Sequence, residues 1–481
     1  MAKDSQRGRA GWVLPVLCVG AFMASLDLFI VNVAFGDIGR EFRSSSVVNL
    51  SWVLNAYAIL YAALLVPLGR LADRLGQRTV FLAGLASFTA GSAACAVSDN
   101  LWALVAFRGM QAMGAAALTP ASLGLLVATT PADRRDRAVR IWAATGALAA
   151  AVGPVVGGLL VEASWRWIFL VNVPIGLVAL LGAHWSIPDT RHNTTAEWPD
   201  FLGGGVLLMS IGTLSLALVK APAWGWGSPA VMTCFGSAAL GAAVFWRRSL
   251  HHPSPVVEPD LLRVPTFAWS NATALAFNAA FAADLLSVIL WMQEVWHYSA
   301  LQTGLAVAPG PLMVPLFAAL AQRVAHRVPS GAIAAAGCLL LALGNVVLVL
   351  ANGAARGYAV GLLPAWLVIG AGVGLAVPTI LSAATADLPP TRTSTGSAVV
   401  NMSRQIGASL GVSLLVAILA SASVAHDVQA AFVWGWWTIV ITAFVGALTA
   451  LGMTPHSPNI APPAALSSDT PDLAELPHSQ N

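Results

Sequence analysis

Charged residues are scarce in this sequence. They make up 9% of its 481 residues, whereas a soluble domain carries about 25%. Hydrophobic residues make up 57%, and glycine (43) and tryptophan (18) are plentiful, as is usual for membrane helices and their interfacial belts. The charges are scattered among short loops, so the net charge of +3 does not indicate a nucleic-acid partner. The composition predicts an integral membrane protein.

Cysteine is also rare, and the motifs of common enzymes are absent. Cys18, Cys95, Cys234 and Cys338 lie far apart within apolar runs, so they lack metal-ligand spacing and are expected to be inert core residues. The sequence has no P-loop, no ATP-binding domain and no redox motif, and no helix carries a cluster of nucleophile, base or metal ligands. We therefore expect a protein that is not an enzyme and that needs no metal or cofactor.

Fourteen apolar runs follow one another along the chain, most of them long enough to cross a bilayer. The first run follows a basic N-terminus, but it is too long for a secretory signal and contains Asp27, so it is expected to be a retained helix. The segment after Met453 is rich in proline and serine and is expected to be disordered. The runs cover residues 12–35, 49–68, 79–98, 101–127, 139–161, 167–186, 201–219, 230–246, 267–291, 302–320, 331–351, 358–381, 397–420 and 432–452.

The lysines and arginines between these runs are unevenly distributed. If both termini are cytoplasmic, 17 of the 24 fall in cytoplasmic segments, five in outer loops, and two, Arg108 and Arg404, inside helices. This bias favours cytoplasmic termini by the positive-inside rule, and it requires an even number of spans. We expect a multi-pass protein of the cell (inner) membrane.

The connection at residues 69–78, GRLADRLGQR, contains three arginines and two glycines. Its composition predicts a short turn at the membrane surface that holds two spanning helices together. Residues 322–331, QRVAHRVPSG, align with it without gaps. Arg70, Ala72 and Arg74 recur as identical residues 253 positions later, whereas Asp73 corresponds to His326. This partial internal repeat predicts two helical halves, and paired halves with a site between them are typical of transporters.

Several stretches of the chain resemble motifs of the major facilitator superfamily, and more narrowly of its fourteen-span drug:proton antiporter branch. They depart from the usual motifs at Phe29, where threonine is usual, at Gly36, where proline is usual, and at Ala112, where glycine is usual. The matching stretches are GRLADRLGQR (69–78), LDLFIVNVAF (26–35), LVAFRGMQAMGAA (104–116), AVGPVVGG (151–158), WRWIFLVNVPIG (165–176) and SAVVNMSRQIGASLG (397–411).

The resemblance implies an all-α integral membrane protein with the major facilitator fold, in which two six-helix bundles and two inserted helices give 14 transmembrane helices. A monomer surrounded by membrane lipids is expected. The expected units are a cytoplasmic N-terminus (1–11), an N-terminal six-helix bundle (12–186), a two-helix insert with flanking loops (187–266), a C-terminal six-helix bundle (267–452) and a disordered cytoplasmic tail (453–481).

Asp27 lies about 15 residues, or about 22 Å, into the first helix. An ionised carboxylate at that depth costs about 2.5–3.5 kcal/mol, so it must face water, meet a cation or carry a proton. Burial favours the neutral form of a carboxylate, and such a group can exchange a proton for a cationic substrate. The alternative is a structural carboxylate capped by nearby backbone or by Asn32. We expect Asp27 to act in proton coupling and, with Asn32, in substrate binding.

Arg108 lies about seven residues into the fourth helix. Arginine keeps its proton, so it cannot carry the transported one, but the resemblance implies that it controls a nearby carboxylate. Gln111 lies one helical turn further on, where it is expected to share this network and to contact substrate. The alternative is a structural arginine satisfied by backbone carbonyls. Arg404, in the thirteenth helix, is expected to extend to the cytoplasmic surface.

Asp284 is the other deep carboxylate, and it lies on the first helix of the second half, near the depth of Asp27. The two are expected to face one cavity and to bind protons and a cation alternately. The alternative is that Asp284 contacts water near the outer surface. Phe277 and Phe281 are expected to line an apolar pocket with a cation-binding face, and Asn278 lies near the same level.

Two regions are expected to act as gates. In the family, a stretch like 69–78 locks the two halves on the cytoplasmic side, with its aspartate facing helix ends and arginines across the gap. In the fifth helix, a proline removes a hydrogen-bond donor and glycines permit close helix approach; ordinary small-residue packing is the alternative there. The expected gating residues are Gly69, Asp73, Arg74, Gly76, Arg78, Gly153 and Pro154.

The residues and the resemblance together predict a proton-coupled multidrug efflux transporter. It would be an antiporter that exports small lipophilic, cationic compounds by alternating access, driven by an ion gradient because no nucleotide-binding motif is present. The alternative is a dedicated exporter of one natural product, antibiotic or lipid. A non-transporting membrane receptor is disfavoured, because both deep carboxylates and the 69–78 stretch are intact.

Overall fold

The protein is built from α-helices, with no strand among the residues described. A computed structural model describes residues 2–42, 46–189, 197–351, 357–389, 392–423 and 427–454. Within these ranges, fourteen helical segments of 20 to 31 residues are long and apolar enough to cross a membrane, which confirms the predicted number of spans. The expected tail lies outside the described residues from position 455 onward, as do the arginines at 43, 191 and 356.

The first helix group, residues 2–186, supplies six of the spans. Helices satisfy their own backbone hydrogen bonds, which is the condition for crossing a bilayer. The helices of this group are α1 (Ala2–Val33), α2 (Phe35–Glu41), α3 (Val47–Leu50), α4 (Trp52–Leu75), α5 (Gln77–Ala96), α6 (Leu101–Thr129), α7 (Arg135–Ala163), α8 (Trp167–Leu170) and α9 (Asn172–Ser186).

Two inserted helices and a second helix group, residues 265–451, supply the other eight spans. A π-helix at Trp291–Val295 extends α13 by about one turn. The helices are α10 (Phe201–Trp224), α11 (Pro229–His251), α12 (Pro259–Leu262), α13 (Pro265–Leu290), α14 (Ala300–Val307), α15 (Pro309–Val324), α16 (Ser330–Leu350), α17 (Leu362–Ala386), α18 (Thr393–Ser423) and α19 (Val428–Leu451).

The charged stretch 69–78 is almost entirely helical, which corrects the turn expected from its sequence. α4 continues through it to Leu75, and only Gly76, with a φ of 96°, separates α4 from α5. Glycine tolerates positive φ without steric cost. Asp73 also accepts a hydrogen bond of 2.6 Å from Gln77, four residues later. The change of direction is therefore confined to one residue.

The same close helix crossing occurs in both helix groups. A Cβ atom added to Gly84 of α5 would lie 3.0 Å from the carbonyl oxygen of Gly114 of α6, and one added to Gly337 of α16 would lie 2.7 Å from the carbonyl oxygen of Gly372 of α17. Gly337 follows Gly84 by 253 residues, the separation that relates residues 69–78 to residues 322–331. Small residues let membrane helices approach closely, and here they do so at equivalent places.

Consecutive spans run in opposite directions, so their ends collect at two faces. We call the face at which α4 ends the near face, and the opposite one the far face. In the far half the two helix groups meet: a Cβ atom on Gly304 of α14 would lie 2.2 Å from the carbonyl oxygen of Pro154 of α7. Asn55 of α4 donates a 3.1 Å hydrogen bond to the hydroxyl of Ser413 on α18.

The inserted helix α10 lies beside this junction and contacts both helix groups. Lys220 of α10 donates to the side-chain oxygen of Asn49 at 3.2 Å, and the hydroxyl of Ser215 lies 3.4 Å from that of Ser409 on α18. α11 packs on α10. The insert therefore borders the junction between the groups.

Candidate functional site

A buried ion pair joins α1 and α6 in the first helix group. The guanidinium of Arg108 donates from Nη1 to Oδ2 of Asp27, and the two residues are 1% and 0% exposed. Taking two charges out of water is costly, and their mutual attraction offsets that cost only with good geometry and further hydrogen bonds. The sequence singled out both residues for proton coupling without pairing them, and in the structure they form an ion pair.

Gln111 completes the hydrogen bonding of this pair. Its amide nitrogen donates to Oδ1 of Asp27 at 2.8 Å and to the hydroxyl of Ser92 on α5 at 2.7 Å, while its oxygen accepts from Nη1 of Arg108 at 2.7 Å. Both oxygens of the Asp27 carboxylate thus have donors, and side chains from α1, α5 and α6 form one buried network. We refer to Asp27, Ser92, Arg108 and Gln111 as the α1–α6 network.

Aromatic rings enclose the arginine of the α1–α6 network. The guanidinium carbon of Arg108 lies 4.2 Å from the ring centre of Tyr57 on α4 and 5.8 Å from that of Phe169 on α8. Its Nε donates to the carbonyl oxygen of Val53 at 3.2 Å. A cation over an aromatic face is stabilised by the ring quadrupole. Tyr57 was not among the predicted site residues. It lies one helical turn after Val53 on α4, so its ring and the Val53 carbonyl both reach Arg108.

Asp284 is as deeply buried as Asp27 but is not compensated in the same way. It is 0% exposed, and neither of its carboxylate oxygens has a hydrogen-bond partner among the residues described. It lies on α13, within the second helix group. The expectation that Asp27 and Asp284 face one cavity stays a prediction; in the structure both side chains are fully buried.

The second helix group lacks the counterparts of Arg108 and Gln111. A Cβ atom on Gly91 of α5 would lie 2.9 Å from the backbone nitrogen of Gln111, and one on Gly344 of α16 would lie 2.4 Å from Cγ1 of Ile369. Ile369 of α17 thus occupies the place of Gln111. Three residues earlier on each helix, Trp366 stands where Arg108 stands in the first group.

The remaining predicted substrate-binding residues do not join the α1–α6 network. The amide nitrogens of Asn32 and Asn278 each donate at 2.8 Å to a carbonyl oxygen one turn back on their own helix, so Asn32 does not cap Asp27. Phe277 is buried, and its ring stacks with that of the partly exposed Phe281 at a centroid distance of 6.4 Å.

A cavity of about 210 Å³ lies between α10, α13, α18 and α19. Its lining is almost wholly apolar and includes Ala279, Ala280 and Ala283 of α13, but none of the predicted substrate-binding residues. Among the residues described, no group of three or more histidine, cysteine, aspartate or glutamate side chains could hold a metal ion.

The predicted gating residues of the near face contact several helices. A Cβ atom on Gly69 would lie 3.2 Å from Pro120 of α6, which shows how closely α4 and α6 pack. The contacts of the charged residues are Asp73 with Gln77 at 2.6 Å, Arg78 with the carbonyl oxygen of His184 at 2.7 Å, and the guanidinium of Arg74 over the ring of Trp198 at 4.2 Å.

A contact missed by the sequence analysis joins this stretch to the second helix group. Arg70 donates to the hydroxyl of Ser254 at 2.6 Å and to Oε1 of Glu258 at 2.9 Å, and Nε of Arg392 lies 3.8 Å from the other carboxylate oxygen of Glu258. Glu258 lies just before α12, and Arg392 just before α18. One carboxylate therefore links two arginines from different helix groups.

Gly153 and Pro154 lie at a crossing of three helices. A Cβ atom on Gly153 would lie 2.9 Å from Cβ of Phe29 on α1, and the carbonyl of Pro154 faces Gly304 of α14. α7 thus packs tightly against both groups.

Arg404, expected to extend to the surface, donates to the side-chain oxygen of Asn401, one turn nearer the near face, at 3.0 Å.

Comparison with known proteins identifies the family of this chain. A family model described as Major Facilitator Superfamily matches residues 17–412. The methylenomycin A resistance protein of Bacillus subtilis (strain 168) is 32% identical over 418 residues, covering 85% of this chain and 87% of that protein. The multidrug resistance protein Stp of Mycobacterium tuberculosis (strain CDC 1551 / Oshkosh) is 32% identical over 409 residues, covering 84% and 74%.

Solved structures bear on the fold alone. A POT family transporter in complex with 5-aminolevulinic acid has a TM-score of 0.66 and 15% identity, covering 92% of this chain and 96% of that one. The family match, the resistance relatives and the fourteen candidate spans identify a polytopic membrane transporter and not an enzyme. The chain belongs to the Major Facilitator Superfamily, and its relatives are antibiotic and multidrug resistance transporters.

Proposed function

We propose that this protein is a proton-coupled antiporter that exports lipophilic, cationic compounds. The observation that carries the proposal is the α1–α6 network, in which a carboxylate and an arginine are fully buried within spanning helices. Such groups are costly inside a membrane and mark proton or substrate pathways. Relatives that confer drug resistance support an outward direction of transport.

The proton acts by changing the force between α1 and α6. In the ionised form, Asp27 attracts Arg108 and accepts hydrogen bonds from Arg108 and Gln111. A proton on Asp27 removes its charge, so the guanidinium then depends on the carbonyl of Val53, the ring of Tyr57 and the oxygen of Gln111. Once the ion pair with Arg108 is broken, the carboxyl group of Asp27 can release its proton and bind the cationic substrate in its place.

Transport follows from alternating access of the two six-helix bundles, with the near face on the cytoplasmic side. Close packing of Pro154 against Gly304 closes the far half, and the link from Arg70 through Glu258 to Arg392 joins the groups at the near face. These two contacts are the proposed gates. Both are closed in the described structure, and opening them in turn exposes the interior to opposite sides. The working unit is a monomer in the lipid bilayer.

The test is gradient-driven uptake of ethidium into inside-out membrane vesicles that contain the full-length protein. We expect accumulation only when a pH gradient is imposed, and we expect Asp27→Asn to abolish it. Asp260→Asn, which removes an exposed near-face carboxylate, is the matched control and should transport normally. Full gradient-driven uptake by Asp27→Asn would overturn the coupling role of Asp27.

A dedicated exporter of one compound is the second candidate. It is supported by a relative, the methylenomycin A resistance protein of Bacillus subtilis, whose name refers to a single antibiotic. A susceptibility panel of chemically unrelated drugs separates the two candidates in cells that express the protein. Protection against one scaffold only would favour the dedicated exporter, and protection against several would favour the multidrug one.

A further inference from the structure

The cavity of about 210 Å³ between α10, α13, α18 and α19 is a half-open crevice. Its floor is formed by Ala280 and Ala283 of α13, which are 1% and 5% exposed, whereas Leu214 on its α10 side is partly exposed. Trp434 and Ile441, which flank the lining residues of α19, are strongly exposed. All four helices are candidate membrane spans, so the crevice opens toward the hydrocarbon of the bilayer.

The crevice is elongated along the spans. Its lining on α18 runs from Leu410 to Ile418, eight residues that cover about 12 Å at 1.5 Å each. Its lining on α19 runs from Gly435 to Thr442 and is of similar length. Both stretches extend from about the middle of the spans toward the far face, where α18 ends and α19 begins. A molecule in the crevice therefore lies parallel to the lipid chains of the leaflet on the far side.

The crevice is also narrow. A volume of about 210 Å³ spread over about 12 Å leaves a width of about 5 Å. Carbon atoms in van der Waals contact lie about 3.5–4.0 Å apart. The crevice thus has room for one hydrocarbon chain, but not for the breadth of a fused ring system.

The lining that the structure describes offers almost no hydrogen bond to a ligand. It contains no charged side chain, and its only hydroxyl groups belong to Thr438 and Thr442. These donate to carbonyl oxygens four residues earlier on their own helix, those of Trp434 and Thr438, at 2.9 and 2.8 Å. A buried water needs about two to four polar partners, so the crevice does not hold water. Its walls gain contacts only from an apolar occupant.

We propose that the crevice binds one acyl chain of a phospholipid from the leaflet on the far side. The proposal rests on a channel of single-chain width that runs parallel to the spans and is open to the bilayer. The bound chain fills the gap between the inserted helix α10 and the second helix group, so the lipid becomes part of their packing. This binding is independent of the proton coupling proposed above.

Photolabelling by lipid tests the proposal. The full-length protein is placed in nanodiscs of phosphatidylglycerol and phosphatidylethanolamine with some phosphatidylcholine that carries a diazirine near the middle of one acyl chain. After irradiation, mass spectrometry of peptides locates the adducts. Bilayer lipid reaches Leu240 of α11 directly, because that residue is 66% exposed, but it reaches the floor residues Ala280 and Ala283 only by entering the crevice. We expect adducts at both places in the wild-type protein.

The double variant with Thr438→Leu and Thr442→Leu fills the crevice with larger side chains. It should lose the adducts on the two floor residues and keep those on Leu240. Thr213→Leu is the matched control, since the hydroxyl of Thr213 also donates to a carbonyl oxygen four residues earlier, that of Met209, at 2.8 Å and lies outside the lining. If the double variant does not fold, Thr442→Leu replaces it and should lose part of the floor adducts.

Two results would overturn the proposal outright: wild-type protein without floor adducts, or floor adducts that are equal in the wild-type and filled variants. The labelling is then repeated with excess ethidium, whose fused rings are too broad for the crevice, and the floor adducts should be unchanged. Their loss would assign the crevice to an exported compound and overturn the assignment to lipid. Failure of gradient-driven ethidium uptake would contradict the proposed antiport and leave the lipid assignment standing.

Discussion

The two helix groups each bury one carboxylate, and they compensate it in different ways. Asp27 meets a cation and an amide donor in Arg108 and Gln111, whereas neither carboxylate oxygen of Asp284 has a hydrogen-bond partner that meets the same geometry among the described residues. The first group balances its charge with an opposite charge. In the second group, the buried carboxylate forms no ion pair within the part of the chain that the structure describes.

This difference arises from side chains, because the backbone arrangement is repeated. The crossings of α5 with α6 and of α16 with α17 have glycines at matching positions, and Gln111 in one crossing is replaced by Ile369 in the other. Trp366, at the place of Arg108, donates from its indole nitrogen to the carbonyl oxygen of Val307 at 2.6 Å and so is satisfied without a carboxylate. One scaffold thus carries two different ways of tolerating a buried acid.

The largest expected effect comes from removing the cation of the first group. Arg108→Gln leaves Asp27 buried without its charge partner, which should lower the free energy of unfolding by about 3–5 kcal/mol. Adding Asp27→Asn should recover most of that loss, since no unpaired charge then remains. Asp284→Asn removes a carboxyl group that has no ion-pair partner to leave behind, and should cost less than about 1 kcal/mol.

The free energy of unfolding of each variant is measured in one detergent at neutral pH. The differences from wild type compare the cost of changing the Asp27–Arg108 pair with the cost of changing Asp284. The Arg108→Gln, Asp27→Asn and double variants form a mutant cycle that isolates the pair. Equal costs for Arg108→Gln and Asp284→Asn, or no recovery in the double variant, would remove the distinction between the two carboxylates.

Matching glycines give a smaller and more selective comparison. Alanine at Gly91 would place Cβ 2.9 Å from the backbone of Gln111, and alanine at Gly344 would place it 2.4 Å from Ile369; both should destabilise by about 1–3 kcal/mol through overpacking. Only Gly91→Ala displaces the helix that carries the α1–α6 network, so it should reduce uptake more than Gly344→Ala. Gly212→Ala, with no atom within 4 Å of its Cβ, is the control, and equal uptake in the two test variants would argue against a special role for the first crossing.

The sequence was sufficient to predict the fold and to single out the deeply buried ionisable residues, but not which side chains they meet. Asp27, Arg108 and Asp284 are conspicuous because charges are costly in apolar helices. Tyr57 and Ser92 were missed because tyrosine and serine cost little there. Depth along a helix also leaves rotation undetermined, since each residue turns the side chain by about 100°. Asp27 and Asp284 were predicted at similar depth, yet only Asp27 forms an ion pair within the described ranges.

The smallest expected effect concerns the same kind of ion pair placed outside the spans. Glu41 accepts hydrogen bonds from Arg166 and from the indole of Trp165 at the far face, and the hydrogen bond from Arg166 holds the pKa of Glu41 below its usual value. A lowered pKa stabilises the folded protein above the unfolded value of about 4.3, and this stability is lost as pH falls through the folded pKa.

Because Glu41 is partly exposed, Glu41→Gln should cost only about 0.5 kcal/mol at pH 7, and the cost should shrink as the pH is lowered below about 4.3. Thermal unfolding of wild type and variant over this pH range checks both the size and the sign. Since glutamine keeps an acceptor for Trp165, the difference isolates the charge on Glu41. A cost as large as that of Arg108→Gln would mean that burial within the spans does not set the strength of these pairs, and the contrast drawn between Asp27 and Asp284 would lose its physical basis.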